Sequence, residues 1–409
     1  MSSPPPRSLQ PGTNPVVDAI LAHDEGRKPR LVRLKYRRMD KDVFSFFRGA
    51  NHLYAAAWPT LKPLDPGPDL LVCGDLHLEN LGAYRAEGGD LLFDINDFDE
   101  ALVGHCSLDL VRCSTSILLA AQVWGLSPIR AIRSVLGYLD HYRSTIRDQA
   151  EGRIPGIADP GPIGELIGSC LLGTQAELLD HVTRLEKSGI RSIRNLPGKL
   201  PRLGDRKKAT VIEAVEAYGR KIGRAEAFRV LDASGRIAGI GSLGVSRYVV
   251  LVEGEGSPDA NWLLDIKAAA PPTLRDCSTA PQPSHWTSDA VRVVDAQRRL
   301  QAEPTSGLDV ISIEGREFRL REMIPDENRA TLDRFRRKPA KLRRAVEMVG
   351  RLTANSQWRG ARLPSGDDRT VELARWAASP ALDAVLAASV RFAEKSREDF
   401  RAFQKGFDG

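Results

Sequence analysis

Cys73-Gly-Asp-Leu-His-Leu-Glu-Asn80 and Phe93-Asp-Ile-Asn-Asp-Phe-Asp-Glu100 decide how this chain is read. Each begins at the end of a short apolar run, Leu70-Leu-Val-Cys and Leu91-Leu-Phe-Asp-Ile, which the β-branched and leucine-rich texture marks as strands. Carboxylates and an amide placed there leave the core where they can face a cleft. Asp75 with Asn80 five residues later, followed by an acid after the next strand, is the donor set that phosphoryl transfer needs. One carboxylate positions or deprotonates a hydroxyl, and further oxygens hold magnesium against phosphates. Asp75 and Asn80 taken alone also suit turn caps. The second segment tilts the choice, because Asp94, Asp97, Asp99 and Glu100 would repel one another without a cation or basic group nearby.

Working outward, Gly239-Ile-Gly-Ser-Leu-Gly244 is a G-x-G-x-x-G. The run after it, Arg247-Tyr-Val-Val-Leu-Val, reads as a strand and not as a helix, so the glycines predict a hairpin that covers phosphates rather than a dinucleotide fold. A further strand, Trp262-Leu-Leu-Asp-Ile-Lys267, ends on a lysine whose ammonium needs an anion if it is buried. The next helix, over about 288–303, offers Asp295 as its carboxylate partner. Gly239, Gly241, Ser242 and Gly244 are expected to cover the phosphates and Lys267 to orient them. The order is inverted relative to a kinase, with the Asp75 loop first and the glycine loop far behind it. Such a permutation is tolerable if the two ends of the chain meet.

The bulk properties bound the answer. The 409 residues, 42% hydrophobic and 27% charged, describe ordinary globular protein with room for sizeable cores. There is no apolar stretch long enough for a membrane span. Five cysteines without a Cys-x-x-Cys pair argue against a disulfide framework or structural zinc and suit a reducing cytoplasm. The net charge is +6, with basic runs at Arg27–Arg38 and Arg329–Arg344. No nucleic-acid-binding motif accompanies them, so they read as solvated faces, the second on a helix.

Four regions follow. Residues 1–30, with Pro4-Pro5-Pro6 and Pro11-Gly12 and no apolar signal core, read as a flexible tail. Residues 31–222 read as a helical lobe carrying the catalytic and metal-binding loops, strongly helical over 107–150 and Pro/Gly-punctuated over 151–222. Residues 223–328 read as a β-rich nucleotide-binding lobe with strands at Phe228-Arg-Val-Leu, Arg247–Val252, Trp262–Ile266 and Glu317-Phe-Arg-Leu-Arg. Residues 329–409 complete the helical lobe. The expected class is α+β.

These residues, with Lys35-Tyr-Arg-Arg-Met39, Phe44-Ser-Phe-Phe-Arg-Gly49, Arg292-Val-Val-Asp-Ala-Gln-Arg298 and Arg319-Leu-Arg-Glu322, resemble a bacterial family of unknown function, DUF2252. That family is placed in the kinase-like superfamily beside aminoglycoside phosphotransferases and choline kinases, and the resemblance spans about residues 30–405. It implies a two-lobed, circularly permuted kinase-like fold. By the same resemblance Asp75 would be the catalytic base and Asn80 a magnesium ligand. The second metal ligand would be Asp97, with Asp94 as the rival that follows the strand more directly. Asp109 would brace the catalytic loop's backbone, and Glu322-Met323 would form the hinge that meets adenine through main-chain groups. Arg48 and His77 fit the family pattern without an assigned role. Cys73 stands where many kinases carry histidine, and Asp295 where glutamate is usual. The implied activity is transfer of a phosphoryl group from ATP, with Mg2+, to a hydroxyl of a small molecule. Adenylyl transfer on the same fold and a nucleotide-binding pseudokinase are the alternatives; a polyanion-binding protein is more distant. The expected partners are a nucleotide and a small-molecule acceptor, not a membrane or nucleic acid, and the sequence gives no oligomeric state.

Overall fold

The computed structural model describes residues 9, 11–12, 14–61, 64–153, 161–168, 175–324 and 332–406. Within them the chain is α+β. It opens with helices, not with a tail: Asn14 caps Val17 N–H at 3.0 Å and Pro15 occupies the first turn of α1 (Pro15–His23), while Pro29 starts α2 (Pro29–Met39). The expectation of a flexible 1–30 segment therefore fails from residue 14 onward. Val17 and Ile20 are fully buried against Tyr36, Met39, Phe46 and Phe403, which supplies the tertiary support a short helix lacks alone. The first basic run is not all solvated either. Lys35 is completely buried and donates to Asp24 at 2.7 Å.

Helices α3 (Val43–Gly49) and α4 (Asn51–Ala57) lead to four short strands, β1 (Asp69–Val72), β2 (Leu81–Arg85), β3 (Leu91–Ile95) and β4 (Leu102–His105). These pair as two antiparallel ribbons, β1 with β4 and β2 with β3. The long helices α5 (Ser107–Val123) and α6 (Pro128–Ala150) follow. After them come α7 (Gly161–Gly168), α8 (Gln175–Val182), a small hairpin of β5 (Thr183–Leu185) and β6 (Arg191–Ile193), and α9 (Asp205–Lys221).

A five-stranded antiparallel sheet then forms from β7 (Val230–Gly235), β8 (Arg247–Val252), β9 (Trp262–Ala268), β10 (Asp309–Ile313) and β11 (Arg316–Glu322), in the order β10-β11-β9-β8-β7. One face packs Tyr248, Val250, Leu264, Ile266, Phe318 and Leu320 with Val211 and Val215 of α9. The helix α10 (Asp289–Leu300) lies between β9 and β10 in sequence. The chain closes with α11 (Pro339–Gly360), α12 (Thr370–Ala378) and α13 (Ala381–Lys405). In the second basic run Arg329 lies outside the described residues; Arg334, Arg336, Arg337 and Lys338 are exposed as expected, but they lie in a 3-10 turn and the residues after it, before α11 begins.

The main core joins α5, α6 and α11 to α13 with the strands around Cys73. The chain ends do meet: Asn14 donates to Ala402 O at 3.0 Å, and Phe403 packs on Tyr36 and Phe46. Among the described residues no helix is long and apolar enough to cross a membrane. Cys73, Cys106, Cys113 and Cys277 are free thiols; Cys170 lies outside the described residues.

Candidate active site

The Asp75 loop is held from behind by α5. Asp109, one turn into that helix and buried, accepts Cys73 N–H at 2.9 Å and Gly74 N–H at 2.8 Å, the bracing the sequence implied. Burial pushes its carboxyl up to about 6, with the two N–H donors working against that rise. Gly74 has φ +81°, and a Cβ there would lie 2.0 Å from Glu100 O, so only glycine fits where the two acidic segments cross.

Three residues beyond Asp109 on the same helix face, Arg112 reaches Asp75. Its Nε donates to Asp75 Oδ1 at 2.7 Å and its Nη2 to Phe47 O at 3.1 Å, and its guanidinium lies 3.9 Å from the Phe47 ring centre. Arg112 is wholly buried, whereas 23% of the Asp75 side chain remains open to the cleft. Burial raises the Asp75 carboxyl to about 7 even though Arg112 pulls the other way. The role of Arg112 was missed in the sequence; its spacing from Asp109, one helical turn, was the available signal.

Asn80 ties the two acidic segments together. Its Nδ2 donates to Asp75 O at 3.1 Å and to Asp97 O at 3.0 Å. Its Oδ1 is buried with no protein donor among the described residues, an oxygen of the kind a cation takes. The Cys73 thiol donates to Asp97 O at 3.2 Å, so the cysteine staples the Asp75 loop to the acidic segment.

The two metal-ligand candidates separate cleanly. Asp97 lines the cleft with 44% of its side chain exposed. Asp94 is buried away from it, accepting from Ile95 N–H and Ala302 N–H at 2.8 and 3.0 Å with Arg359 beside it. Asp94 lies within β3, whereas Asp97 lies beyond its end.

The glycine loop joins β7 to β8, which pair from Val230↔Val252 to Gly235↔Tyr248, so the expected hairpin is present. Gly239, Gly241 and Ser242 line the same cleft as Asp75, Asn80 and Asp97, while Gly244 backs onto Arg27. Two arginines of the N-terminal helices and their link hold this loop: Arg27 donates to Gly241 O at 2.7 Å, and Arg38 to Gly239 O at 2.8 Å.

Lys267 on β9 lies in the cleft, and its partner is not Asp295. Lys267 pairs with Asp99 and stands 3.7 Å from Asp97. Asp295 faces the other way, accepting from Trp286 Nε1 at 2.9 Å and Arg299 Nε at 2.9 Å. The inward residue of α10 is Arg292, which donates to Asp99 O, Ala101 O and Ala270 O and so fastens the acidic segment to the end of β9. Glu322 and Met323 also stand apart from the expected hinge geometry. Their N–H groups donate to Ser306 O at 2.9 Å and Leu263 O at 2.8 Å, and neither side chain lines the cleft, whereas Ile324 does. Of the two residues without an assigned role, Arg48 pairs with Glu79 at 2.5 Å, and His77 Nε2 stands 3.9 Å from Asp75 Oδ2.

The chain belongs to the family DUF2252, described as uncharacterized protein conserved in bacteria, whose model matches residues 27–406. Neither the curated proteins nor the solved structures contain a match.

Proposed function

We propose that this protein is a Mg2+- and ATP-dependent phosphotransferase with a circularly permuted kinase-like fold, acting on a hydroxyl of a small molecule. The observation that carries the proposal is convergence. Asp75, Asn80 and Asp97 meet Lys267 and the glycine loop in one cleft, although the two groups lie more than a third of the chain apart. The contact between the first and last helices is what a permuted order requires.

The geometry supports these residue roles. Arg112 holds Asp75 Oδ1, which leaves Oδ2 to accept a proton from an acceptor hydroxyl. A carboxyl raised to about 7 is a stronger base than an ordinary aspartate, and it is available in ionised form above that pH. Lys267, anchored by Asp99, places one positive charge beneath the glycine loop. The unpartnered Asn80 Oδ1 and the exposed Asp97 carboxylate suit magnesium. Among the described residues no three His, Cys, Asp or Glu side chains gather to hold a metal alone. When bound, that ion neutralises charge on the phosphates.

Thermal shift with ATP, with and without Mg2+, tests the proposal on wild type and on Asp75→Ala, Asp97→Ala and Lys267→Ala. A Mg2+-dependent shift that is lost in Asp97→Ala and Lys267→Ala and kept in Asp75→Ala is the expected pattern. No shift at millimolar ATP would refute it in favour of a binding or scaffold role.

A further inference from the structure

The glycine loop is fastened from outside its own hairpin. The β7–β8 ladder ends at Gly235↔Tyr248 and the bond from Arg236 N–H to Arg247 O, which leaves residues 237–246 beyond it. Within that stretch two turn bonds close the loop on itself, from Leu243 N–H to Ile240 O and from Val245 N–H to Ser242 O, each at 3.2 Å. Three further contacts reach it from the helices at the start of the chain. Arg27 Nη1 donates to Gly241 O at 2.7 Å, with Leu243 O at 3.4 Å. Arg38 Nη1 donates to Gly239 O at 2.8 Å. Ile240, between the two bonded glycines, packs on the core made by Val17, Ile20, Tyr36, Met39, Phe46 and Phe403. Gly49 at the end of α3 makes room for this, since a Cβ there would lie 2.6 Å from Met39 Cγ and 3.1 Å from Ile240 Cγ2.

Arg27 is itself held on its other side. Its Nη1 lies 3.1 Å from Asp24 Oδ1, the buried carboxylate that also takes the Lys35 ammonium, and its Nη2 donates to His23 Nε2 at 3.1 Å. The His23 ring stacks on that of His52, with centroids 4.1 Å apart. Gly244 lies against the arginine stem: at φ +96° its added Cβ would stand 2.8 Å from Arg27 Cβ. Both Nη groups of Arg27 thus have protein acceptors, which suits an arm that carries the loop.

Helix α3 ties this arm to the reacting end of the cleft. Phe47 O takes the Nη2 of Arg112, whose Nε holds Asp75, while two residues on Gly49 seats Ile240. Phe46, between them and Arg112's helix on one side and Phe403 on the other, packs on Phe403 at 5.2 Å between ring centres. The glycine loop and Asp75 are therefore referred to one helix, although they belong to segments far apart in the chain.

Ordering a glycine-rich loop is costly, because glycine gives up the most backbone freedom. A loop that closes on its ligand takes that cost out of the binding free energy, whereas a loop fixed during folding does not. Bonds from a guanidinium to carbonyl oxygens are charge-assisted and stronger than neutral ones, so two of them beside a packed isoleucine are enough to fix the tip.

We infer that Arg27 is a positioning residue for the phosphate-covering loop: α1 and α2 strap the loop in place before a ligand arrives, and affinity for the phosphates depends on that strap. The inference rests on the phosphotransfer reading of the cleft.

Hydrogen exchange of the full chain, read at the Leu243 and Val245 amides, tests this beside isothermal titration with Mg2+–ATP. Both amides are expected to exchange at least tenfold faster in ligand-free Arg27→Met than in ligand-free wild type, because methionine keeps the stem against Gly244 and loses the bonds to the loop. Mg2+–ATP is expected to slow them less than threefold in wild type and at least tenfold in Arg27→Met, where binding has to order the loop. Arg27→Met is expected to bind Mg2+–ATP at least tenfold more weakly, and Arg27→Lys, which keeps a donor for Gly241 O, to come within threefold of wild type. Asn14→Ala loosens α1 from α13 without touching the loop. It is expected to lower the urea midpoint and to leave both amides and the affinity at their wild-type values, since loop amides exchange through local opening. Fast exchange in ligand-free wild type that slows only with Mg2+–ATP overturns the inference and leaves the phosphotransfer reading standing. Slow exchange in wild type and fast exchange in Arg27→Met, with no Mg2+–ATP binding to either, keeps the strap and removes the phosphotransfer reading. An Arg27→Met protein that is less stable in urea but unchanged in loop exchange and affinity assigns Arg27 a structural role and overturns the inference.

Discussion

Arg112→Met isolates the ion pair that holds Asp75. Methionine keeps most of the packing against Phe47 and Tyr54 but removes the only guanidinium bonded to Asp75 among the described residues. The lost charge-assisted hydrogen bond is worth about 1.5–3 kcal/mol. Removing an opposite charge at this distance takes away about 1.4–4 kcal/mol of preference for the ionised carboxylate. The two overlap, so a total near 3 kcal/mol is expected at alkaline pH. The sign with pH follows from the raised Asp75 carboxyl. A carboxyl that sits above its unfolded value folds most favourably when protonated, and that advantage fades as pH rises through its folded value, about 7 in the wild type. The variant moves that value higher still. Wild type and variant should therefore differ least near pH 5, where Asp75 is protonated in both, and most near pH 9. Urea unfolding across this range reads the difference directly. A loss that is the same at both ends, or below about 1 kcal/mol at pH 9, would refute the pairing as the source of the effect.

Two further outcomes are expected. Gly74→Ala places a methyl 2.0 Å from Glu100 O at φ +81°, so it should destabilise by more than about 2 kcal/mol in urea unfolding, or fail to fold, whereas Gly89→Ala, with open space around its own positive φ, should cost about 1–2 kcal/mol. Asp295→Ala should leave the Mg2+–ATP thermal shift at its wild-type value and Asp99→Ala should reduce it, because Asp99 and not Asp295 holds Lys267; the reverse ranking would restore the helix aspartate to the site.

Much of the site was legible because it is written in local chemistry. The Asp75 loop, the acidic segment, the glycine hairpin and the β9 lysine each announce themselves through residue type and spacing, and all four reach one cleft. What was missed depends on partners distant in sequence. Asp295 and Arg292 share a helix and differ only in which side faces the core, and the charge pattern alone favoured the acid. Asp94 and Asp97 were separated by burial within β3 for the one and exposure beyond its end for the other, which the sequence alone could not rank. The α1 helix had a readable start at Asn14-Pro15, but the neighbouring prolines and its short length outweighed it until α13 supplied a packing surface. Strand β10 was overlooked because Asp309-Val-Ile-Ser-Ile is short and reads as a strand only against β11. Lys35 looked solvated because its buried counterion, Asp24, sits in the preceding turn region that had been read as tail.

The contact between α1 and α13 also has a consequence for how the chain is made. Helix α1 leaves the ribosome long before Phe403, yet its buried residues Val17 and Ile20 share their core with that distant side chain. At about 5–20 residues per second, synthesis of the stretch between them takes on the order of 20–80 s. Throughout that interval the apolar face of α1 is only partly covered, by Tyr36, Met39 and Phe46, and the arginines that secure the glycine loop have nothing to hold until residues 239–243 appear. A nascent chain in this state is a natural client for a chaperone, and a truncated product that lacks α13 exposes the same face permanently, which marks it for proteolysis.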